Sequence, residues 1–275
     1  MTRLVSQPDR RFESVSTIRH NSRVETCTQR KPMIDFHGKV ALITGATSGI
    51  GEATAVMFAR YSARVVIAGR RDAEGERVVE SIKAAGGDAI FVHTDVQVEA
   101  QVANLVKAAL QKFGRLDYAF NNAGVDHIAP LEQQTTADFD NMLSTNLRGT
   151  FVCMQHELPA IAKSGGGAIV NMSSIAGAIV GIPINAPYSA AKAGVVGLTK
   201  STALSAAKNN ITINALCCGS VATELALEVW KSLGWSLEQV AAYNPLGRIG
   251  KPEEIAAPFS FYAVSMLPTS QEQPW

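Results

Sequence analysis

From residue 39 onward, short apolar runs alternate with longer segments in which apolar positions recur with a helical period. The apolar runs predict strands over Val40–Thr44, Arg64–Ala68, Ala89–His93, Leu116–Phe120, Ala168–Met172 and Thr212–Leu216. The longer segments predict helices over Ile50–Arg60, Ala73–Ala85, Val98–Phe113, Ala137–Ile161 and Tyr188–Lys208. Such alternation is typical of βαβ units, whose right-handed crossovers place helices on both faces of a parallel sheet. We therefore expect a doubly wound α/β domain.

Composition and charge exclude several classes of protein. The 275 residues are 47% hydrophobic and 18% charged, which suits a single globular α/β domain and argues against a disordered chain. A balance of 25 Lys and Arg against 24 Asp and Glu provides no general basic field for nucleic acid. The apolar stretches are shorter than the roughly 18 residues that a membrane helix needs. We expect neither a nucleic-acid partner nor a membrane partner.

The four cysteines indicate a reducing compartment. They show no CxxC spacing, and two of them, Cys217 and Cys218, are adjacent. Adjacent cysteines seldom pair with each other, so a disulfide framework is not expected and a cytoplasmic location is. No cluster of Cys and His has the spacing of a zinc site, and we expect no metal.

The first 32 residues differ from the rest of the chain. They contain seven basic and three acidic residues, which leaves a net charge of +4 there and −3 over the remainder. They lack the apolar core of a secretory signal. We expect a disordered extension ahead of one domain over residues 33–275; an Arg-rich transit peptide and a natural start at Met33 are the alternatives.

A glycine-rich turn follows the first predicted strand. Residues 44–51 read TGATSGIG and lead directly into a predicted helix. Glycine permits positive φ and a close approach of backbone to a ligand, and a helix N-terminus offers unpaired N–H groups to a phosphate. The spacing only approximates the G-x-G-x-x-G fingerprint of dinucleotide-binding proteins. The turn favours a nucleotide site.

Tyr188 and Lys192 lie four residues apart in a predicted helix, and therefore on one face of it. A phenol has a pKa near 10, too high for a general base at neutral pH. An ammonium group about 4–5 Å away would favour the phenolate and lower that pKa. The spacing predicts a phenol that transfers protons, although such pairs are also common on solvated helix faces.

Five motifs in order resemble the short-chain dehydrogenase/reductase family in its ordinary Rossmann-fold form. They are the glycine-rich turn, the NNAG segment at residues 121–124, Asn146, Ser174 and the Tyr188-x-x-x-Lys192 pair. The resemblance covers residues 34–262. It implies a hydride transfer between a nicotinamide cofactor and a secondary alcohol or ketone, which is then the small-molecule partner.

The resemblance implies a role for each catalytic residue. Ser174 would hold and polarise the substrate oxygen, with Ser173 the less favoured serine. Tyr188 would transfer the proton, Lys192 would lower the pKa of Tyr188 and hold the ribose, and Asn146 would support the proton relay. Ser174 and Tyr188 are 14 residues apart, one more than in many members. One inserted residue near 184–186 would account for that separation.

The resemblance also implies the cofactor-binding residues. They are Gly45, Thr47, Ser48, Gly49, Ile50, Gly51, Arg70, Asp95, Val96, Asn122, Ala123, Gly124, Tyr188, Lys192, Gly219, Val221 and Thr223. NAD-selective relatives carry an acid at the end of the second strand, whereas this chain has Gly69 followed by Arg70 and Arg71. A guanidinium in place of a carboxylate favours a 2′-phosphate, so we expect NADP(H), with NAD as the alternative. Ser48 stands where NADP-dependent relatives often carry a basic residue.

Two segments depart from the family pattern. The usual Pro-Gly after the sixth strand is replaced by Cys217, Cys218 and Gly219, and we expect a looser loop there. After residue 262 the resemblance ends, so the final edge strand is expected to be missing or altered. Family tetramers use that region, which puts a tetramer in doubt, whereas the long helices could still form a homodimer.

The sequence thus predicts an NADP(H)-preferring short-chain dehydrogenase/reductase. Two alternatives are enzymes: a protein similar to 3-oxoacyl-carrier-protein reductases, and an NAD-preferring sugar or alcohol dehydrogenase. A third belongs to another class, a nucleotide-binding scaffold without catalytic activity.

Overall fold

The structure, a computed structural model, describes residues 35–257 of the chain. Within them, six strands form one sheet of order β3-β2-β1-β4-β5-β6. All neighbouring strands are parallel. The predicted doubly wound α/β fold is confirmed. The predictions for residues 1–32 and for the chain after residue 262, including the altered edge strand, lie outside the described residues.

Each predicted strand is present, with shifted ends in several cases. The strands are β1 Val40–Thr44, β2 Arg64–Gly69, β3 Asp88–His93, β4 Tyr118–Asn121, β5 Gly167–Ser174 and β6 Ile211–Cys218. β5 and β6 each extend two residues beyond their predicted ends, and there Cys217 pairs with Ser173 and Cys218 pairs with Ser174. The expectation of a looser segment is wrong for Cys217 and Cys218. Each has the backbone N–H that proline lacks, so both residues continue the hydrogen-bonded ladder between β5 and β6.

The helices lie between these strands, except that the last two follow β6. They are α1 Gly49–Arg60, α2 Asp72–Ala84, α3 Glu99–Phe113, α4 Thr136–Leu143, α5 Gly149–Lys163, α6 Ile175–Ala178, α7 Ala186–Ala206, α8 Glu224–Ser232 and α9 Leu237–Ala242. The single helix predicted over Ala137–Ile161 is divided by a π-helical segment, Ser144–Arg148. Asn146 lies in that segment and bonds to a neighbouring loop, as an asparagine within a helix often does. None of the helices within residues 35–257 is long and apolar enough to cross a membrane.

The hydrophobic core lies on both faces of the sheet. Along β1, Ala41 and Ile43 pack into one buried cluster, and Val40 and Leu42 pack into the other. Side chains of a strand alternate between faces, so a strand that is apolar at every position must be covered on both sides. The strand order reverses between β1 and β4, which opens a crevice at their carboxyl ends, where open α/β sheets bind ligands.

Glu157 is a carboxyl group inside this core. Only 1% of its surface is exposed, its Oε2 accepts a 2.9 Å hydrogen bond from Asn121 Nδ2, and its Oε1 has no partner among the described residues. Burial raises the pKa of Glu157 to about 7, from the ordinary value of 4.5. The carboxylate is therefore a source of instability above neutral pH.

We predict that Glu157→Gln stabilises the fold at pH 8 but not at pH 4.5. The raised pKa means that the folded chain binds a proton more tightly than the unfolded chain, so the wild type loses stability as the pH rises through 4.5–7. A shift of this size is equivalent to about 3 kcal/mol of unfolding free energy. Urea unfolding of both proteins at a series of pH values tests this. A difference in stability that does not vary with pH would contradict it.

Candidate active site

The glycine-rich turn joins β1 to α1 at the crevice. Gly45 and Gly49 have φ of +62° and +58°, a conformation that favours glycine. A Cβ on Gly51 would collide with the carbonyl oxygen of Gly45. Ser48 is the N-cap of α1, yet its side chain makes no capping hydrogen bond, so the N–H groups of the first turn are left for another acceptor. The turn fits the phosphates of a dinucleotide.

The NNAG segment is fastened to this turn. Asn122 Nδ2 donates hydrogen bonds of 3.1 Å to the carbonyl oxygens of Thr44 and Gly45. Ala123 N donates to Thr44 Oγ1 at 3.1 Å. A Cβ on Gly45 would lie 2.8 Å from the Cα of Ala123, so the two segments are in direct contact. The ends of β1 and β4 are thereby held as one wall of the crevice.

The two arginines after β2 have different surroundings. Arg70 is 60% exposed and its nearest acidic partner is Asp95, at 3.9 Å. Arg71 Nη2 donates to Thr47 Oγ1 at 3.1 Å and to Ser48 Oγ at 2.6 Å, and Arg71 Nη1 contacts Glu224 on α8 at 3.0 Å. Arg71 therefore places a positive charge on the turn at Ser48, where the sequence shows no basic residue.

Ser174, Tyr188 and Lys192 come together at the ends of β5 and the start of α7. The Ser174 side chain lies close enough to the Tyr188 phenol to lower its pKa. Lys192 is 3% exposed, its Nζ lies 5.5 Å from the centre of the Tyr188 ring, and it donates a 2.9 Å hydrogen bond to the carbonyl oxygen of Met172. Ser173 faces elsewhere, because its hydroxyl donates to the carbonyl oxygen of Lys192 at 2.8 Å. The arrangement can move a proton between a bound oxygen atom and Tyr188.

The expected lowering of the Tyr188 pKa is wrong for this structure. Burial raises the pKa of the phenol above its ordinary value, and the negative charges of Asp126 and Cys218 raise it further, whereas the Ser174 side chain lowers it. Burial also lowers the pKa of Lys192 to about 8. Removal from water is therefore the largest cause of both shifts. The phenol is fully protonated at neutral pH.

Asn146 links the π-helical segment to the loop after β4. Its Oδ1 accepts a 3.1 Å bond from Val125 N, and its Nδ2 donates to the carbonyl oxygen of Val125 at 2.9 Å. A Cβ on Gly124 would lie 2.7 Å from Asn146 Oδ1 and 3.7 Å from Lys192 Nζ. The backbone carbonyl of Asn146 accepts from Thr150 Oγ1 at 2.9 Å. Asn146 thus lies next to the lysine, on the side of Gly124.

The remaining predicted cofactor residues lie around the same crevice. Asp95 and Val96 follow β3, where Asp95 Oδ1 accepts from Gln97 N at 2.9 Å and Val96 is buried. Val221 and Thr223 lie between β6 and α8, and Thr223 caps α8 by accepting from Ala226 N at 3.1 Å. A Cβ on Gly49 would lie 3.2 Å from the Thr223 side chain, which places this segment over the glycine-rich turn. Gly219, just after β6, borders the crevice near Asn244.

Three further residues at this site were not predicted from the sequence. Arg71 and Glu224 connect the turn to α8. In the sequence, the only indication for Arg71 is its position next to Arg70. Asp126 lies close enough to Tyr188 and Lys192 to alter the pKa of both. The position of Asp126, two residues after the NNAG segment, does not mark it as a site residue in the sequence. Asp126 approaches Tyr188 and Lys192 only because of the way the loop folds.

Comparison with known proteins identifies the family. The model of the short chain dehydrogenase family matches residues 39–233. The chain belongs to the short-chain dehydrogenase family. This confirms the resemblance, and the family's hydride-transfer chemistry is consistent with the tyrosine, serine and lysine assembled here.

Three relatives of the chain are 37–40% identical to it. An uncharacterized oxidoreductase of Thermotoga maritima is 40% identical over 233 residues, covering 84% of this chain and 92% of the relative. A 3-oxoacyl-[acyl-carrier-protein] reductase of Synechocystis is 37% identical over 84% of this chain and 91% of its own length. A cyclohexanol dehydrogenase of Acinetobacter is 38% identical over 82% and 88%.

A solved structure has the same fold. The crystal structure of a variant of actinorhodin polyketide ketoreductase with NADPH superposes with a TM-score of 0.78. The two chains are 32% identical, and the match covers 84% of this chain and 90% of the ketoreductase. Within residues 35–257, no group of His, Cys, Asp and Glu side chains could hold a metal ion.

Proposed function

We propose that this family member is an NADP(H)-preferring oxidoreductase that transfers a hydride between nicotinamide and a secondary alcohol or ketone. The observation that supports it most is that Ser174, Tyr188 and a buried Lys192 lie together next to the glycine-rich turn, with Lys192 Nζ 5.5 Å from the centre of the Tyr188 ring. A serine that polarises an oxygen and a phenol that exchanges its proton are what carbonyl reduction requires of a protein.

The residues at the crevice fit a dinucleotide. The turn would hold its phosphates on the N–H groups of α1, and the segments at residues 95–96, 122–124 and 219–223 would enclose the rest. Lys192 would bond the ribose next to nicotinamide. When bound, the cofactor supplies the hydride, and the protein supplies geometry and electrostatics.

Each catalytic side chain then has one task. Ser174 donates a hydrogen bond to the substrate oxygen and polarises the carbonyl. Tyr188, which is protonated at neutral pH, gives its proton to that oxygen as the alcohol forms. Lys192 holds a positive charge near the developing phenolate, and Asn146 supports the relay beside it. A phenol is protonated at neutral pH, which is the form that can give a proton to the oxygen of a ketone.

The preference for NADP(H) is supported by Arg70 and Gly69 and by the NADPH-bound ketoreductase that this chain resembles. Arg70 is exposed and weakly paired, so it is free to bind a 2′-phosphate. Arg71 is held by Thr47, Ser48 and Glu224, and its task would be to shape the turn.

We predict that Arg70→Ala and Arg71→Ala differ in selectivity. Loss of a charge-assisted hydrogen bond costs about 1.5–3 kcal/mol, so Arg70→Ala should weaken NADPH binding about 10- to 100-fold and leave NADH binding nearly unchanged. Arg71→Ala should weaken both cofactors, because both have phosphates on the turn. Titration of intrinsic fluorescence with NADPH and NADH measures this. Equal effects of Arg70→Ala on both cofactors would contradict the assignment of Arg70 to the 2′-phosphate.

The experiment that tests the proposed function is an assay of the purified protein with NADPH and NADH against a broad panel of ketones and secondary alcohols. We expect oxidation of NADPH with at least one ketone and a preference for NADPH over NADH. Tight binding of NADPH with no turnover on any member of the panel would favour a catalytically inactive nucleotide-binding protein. Faster turnover with NADH would favour the NAD-dependent alternative.

We also propose a homodimer and a cytoplasmic location. Exposed apolar side chains on α4, α5 and α7 support the dimer, since Phe139, Phe151 and Leu204 are 43%, 49% and 84% exposed. The three cysteines within residues 35–257 are free thiols, which supports a reducing compartment. Sedimentation velocity of the wild type and of Leu204→Glu tests the dimer, which the charged side chain should weaken.

A further inference from the structure

The loop after the NNAG segment is fixed at two points beside Tyr188. Val125 exchanges two hydrogen bonds with the Asn146 side chain, at 3.1 and 2.9 Å. Four residues later, Ala129 N donates a 3.0 Å bond to the carbonyl oxygen of Ile184. Asp126 lies between these two attachments. Its side chain is therefore held between the proton relay and the residues that precede α7.

Asn185, at the start of α7, is the partner of Asp126. It is the N-cap of this helix and 4% exposed, but its side chain makes no capping hydrogen bond. Instead, the Asn185 side chain lies close enough to the Asp126 carboxyl group to lower its pKa. The preceding residue, Ile184, has a φ of +56°, a strained conformation for a β-branched side chain. Strain of this kind is typical of functional sites, and here it lies where the sequence has one extra residue.

Two oxygen atoms of this pair are buried without a partner. Within residues 35–257, no donor lies within hydrogen-bond distance of Asp126 Oδ1 or of Asn185 Oδ1. An unsatisfied buried acceptor costs about 1–3 kcal/mol, and more when it is charged. Both oxygens are acceptors, because the amide NH₂ of Asn185 is the end that can donate to a carboxylate. The pair therefore offers acceptors to a group that carries N–H or O–H.

The charge of Asp126 alters the pKa values of two catalytic residues. It raises the pKa values of both Tyr188 and Lys192. Lys192 in turn lowers the pKa of Asp126, which burial raises above its ordinary value. The pair therefore lies near the atoms that would exchange the proton.

On the basis of the proposed carbonyl reductase activity, we propose that Asp126 and Asn185 bind a second hydroxyl group of the substrate, close to the reacting carbon. The substrates of this enzyme are then hydroxyketones and the corresponding diols. Plain ketones leave the two acceptors unpaired. A carboxylate or a thioester carbonyl would place another acceptor against them, which disfavours oxo acids and 3-oxoacyl carriers.

The test compares 1-hydroxybutan-2-one with pentan-3-one, in which a methyl group replaces the hydroxyl. We expect the wild type to have a kcat/KM about 10- to 100-fold higher for the hydroxyketone, mainly through a lower KM. Asp126→Leu should remove most of this preference. Asp126→Asn keeps one acceptor oxygen and should retain part of it. The exposed Asp88→Asn, at the opposite end of β3, is the matched control and should keep the full preference.

A second readout does not depend on turnover. In the Tyr188→Phe background with NADPH, the dissociation constants of the two ketones can be measured by NMR titration, with and without Asp126→Asn. We expect Asp126→Asn to lower the affinity for the hydroxyketone and to change the affinity for pentan-3-one little. The proposal is overturned if both Asp126 variants keep the full preference for the hydroxyketone. It is also overturned if the wild type reduces pentan-3-one well and shows no preference. Either result leaves the proposed function intact. A wild type that reduces neither ketone nor any member of the broad panel overturns both.

Discussion

Tyr188→Phe is expected to lower kcat about 1,000-fold while leaving the affinity for NADPH close to that of the wild type. The substitution removes one oxygen atom and keeps the ring that lies beside Lys192. General acid–base groups contribute about 10²- to 10⁴-fold to rate, and in this site Tyr188 is the group positioned to give its proton to the substrate oxygen. Steady-state kinetics with NADPH and a reactive ketone, together with a fluorescence titration of NADPH, measures both quantities.

Ser174→Ala provides the comparison for this variant. It removes the partner of the phenol and leaves the proton donor in place, so we expect a smaller loss in kcat, about 10²-fold. Cofactor affinity should again be retained. A Tyr188→Phe protein with a kcat near that of the wild type would contradict the assigned role of the phenol.

Lys192→Met is expected to lower kcat/KM by about 1,000-fold or more and also to weaken NADPH binding, because Lys192 would serve both the relay and the ribose. The same change should alter the pH dependence of stability. The pKa of Lys192 is about 8 in the folded chain and 10.5 when unperturbed, so the unfolded chain binds more protons between these values. The stability of the wild type therefore rises with pH across this window, by about 3 kcal/mol in total.

The variant lacks this rise in stability. Chemical unfolding at pH 7 and at pH 10 should show that the difference in unfolding free energy between Lys192→Met and the wild type shifts by about 3 kcal/mol in favour of the wild type. Tyr188, whose raised pKa acts in the opposite direction, contributes only above pH 10. Parallel pH curves for the two proteins would show that Lys192 is not a buried, destabilised ammonium group.

The fold and the glycine-rich turn could be predicted because their signals are local. Strands such as Val40–Thr44 are continuous apolar runs, and the positive φ of Gly45 and Gly49 is a property of glycine itself. The division of the helix at Asn146 was harder to predict from the sequence. It depends on a hydrogen bond between Asn146 and Val125, which come together only in the folded chain.

The electrostatics of the site could not be predicted from spacing. The interval between Tyr188 and Lys192 places both on one helix face, but it does not reveal that Lys192 is buried, that Tyr188 is half-buried or that Lys192 bonds to Met172. Burial reversed the expected direction of the Tyr188 pKa. In the same way, two adjacent arginines look equivalent in the sequence, although only Arg71 contacts the turn. Asp126 reaches the site through a loop whose path is set by tertiary contacts.

In the proposed reaction, a hydride passes from NADPH to a carbonyl carbon while Tyr188 supplies the proton. The most direct measurement uses NADPH deuterated at the transferred position of C4, a ketone on which the wild type is active, and mass spectrometry of the product. We predict an alcohol with one deuterium on the carbinol carbon from the wild type, and almost none from Tyr188→Phe under the same conditions. An unlabelled alcohol, or equal labelled product from both proteins, would contradict the claim.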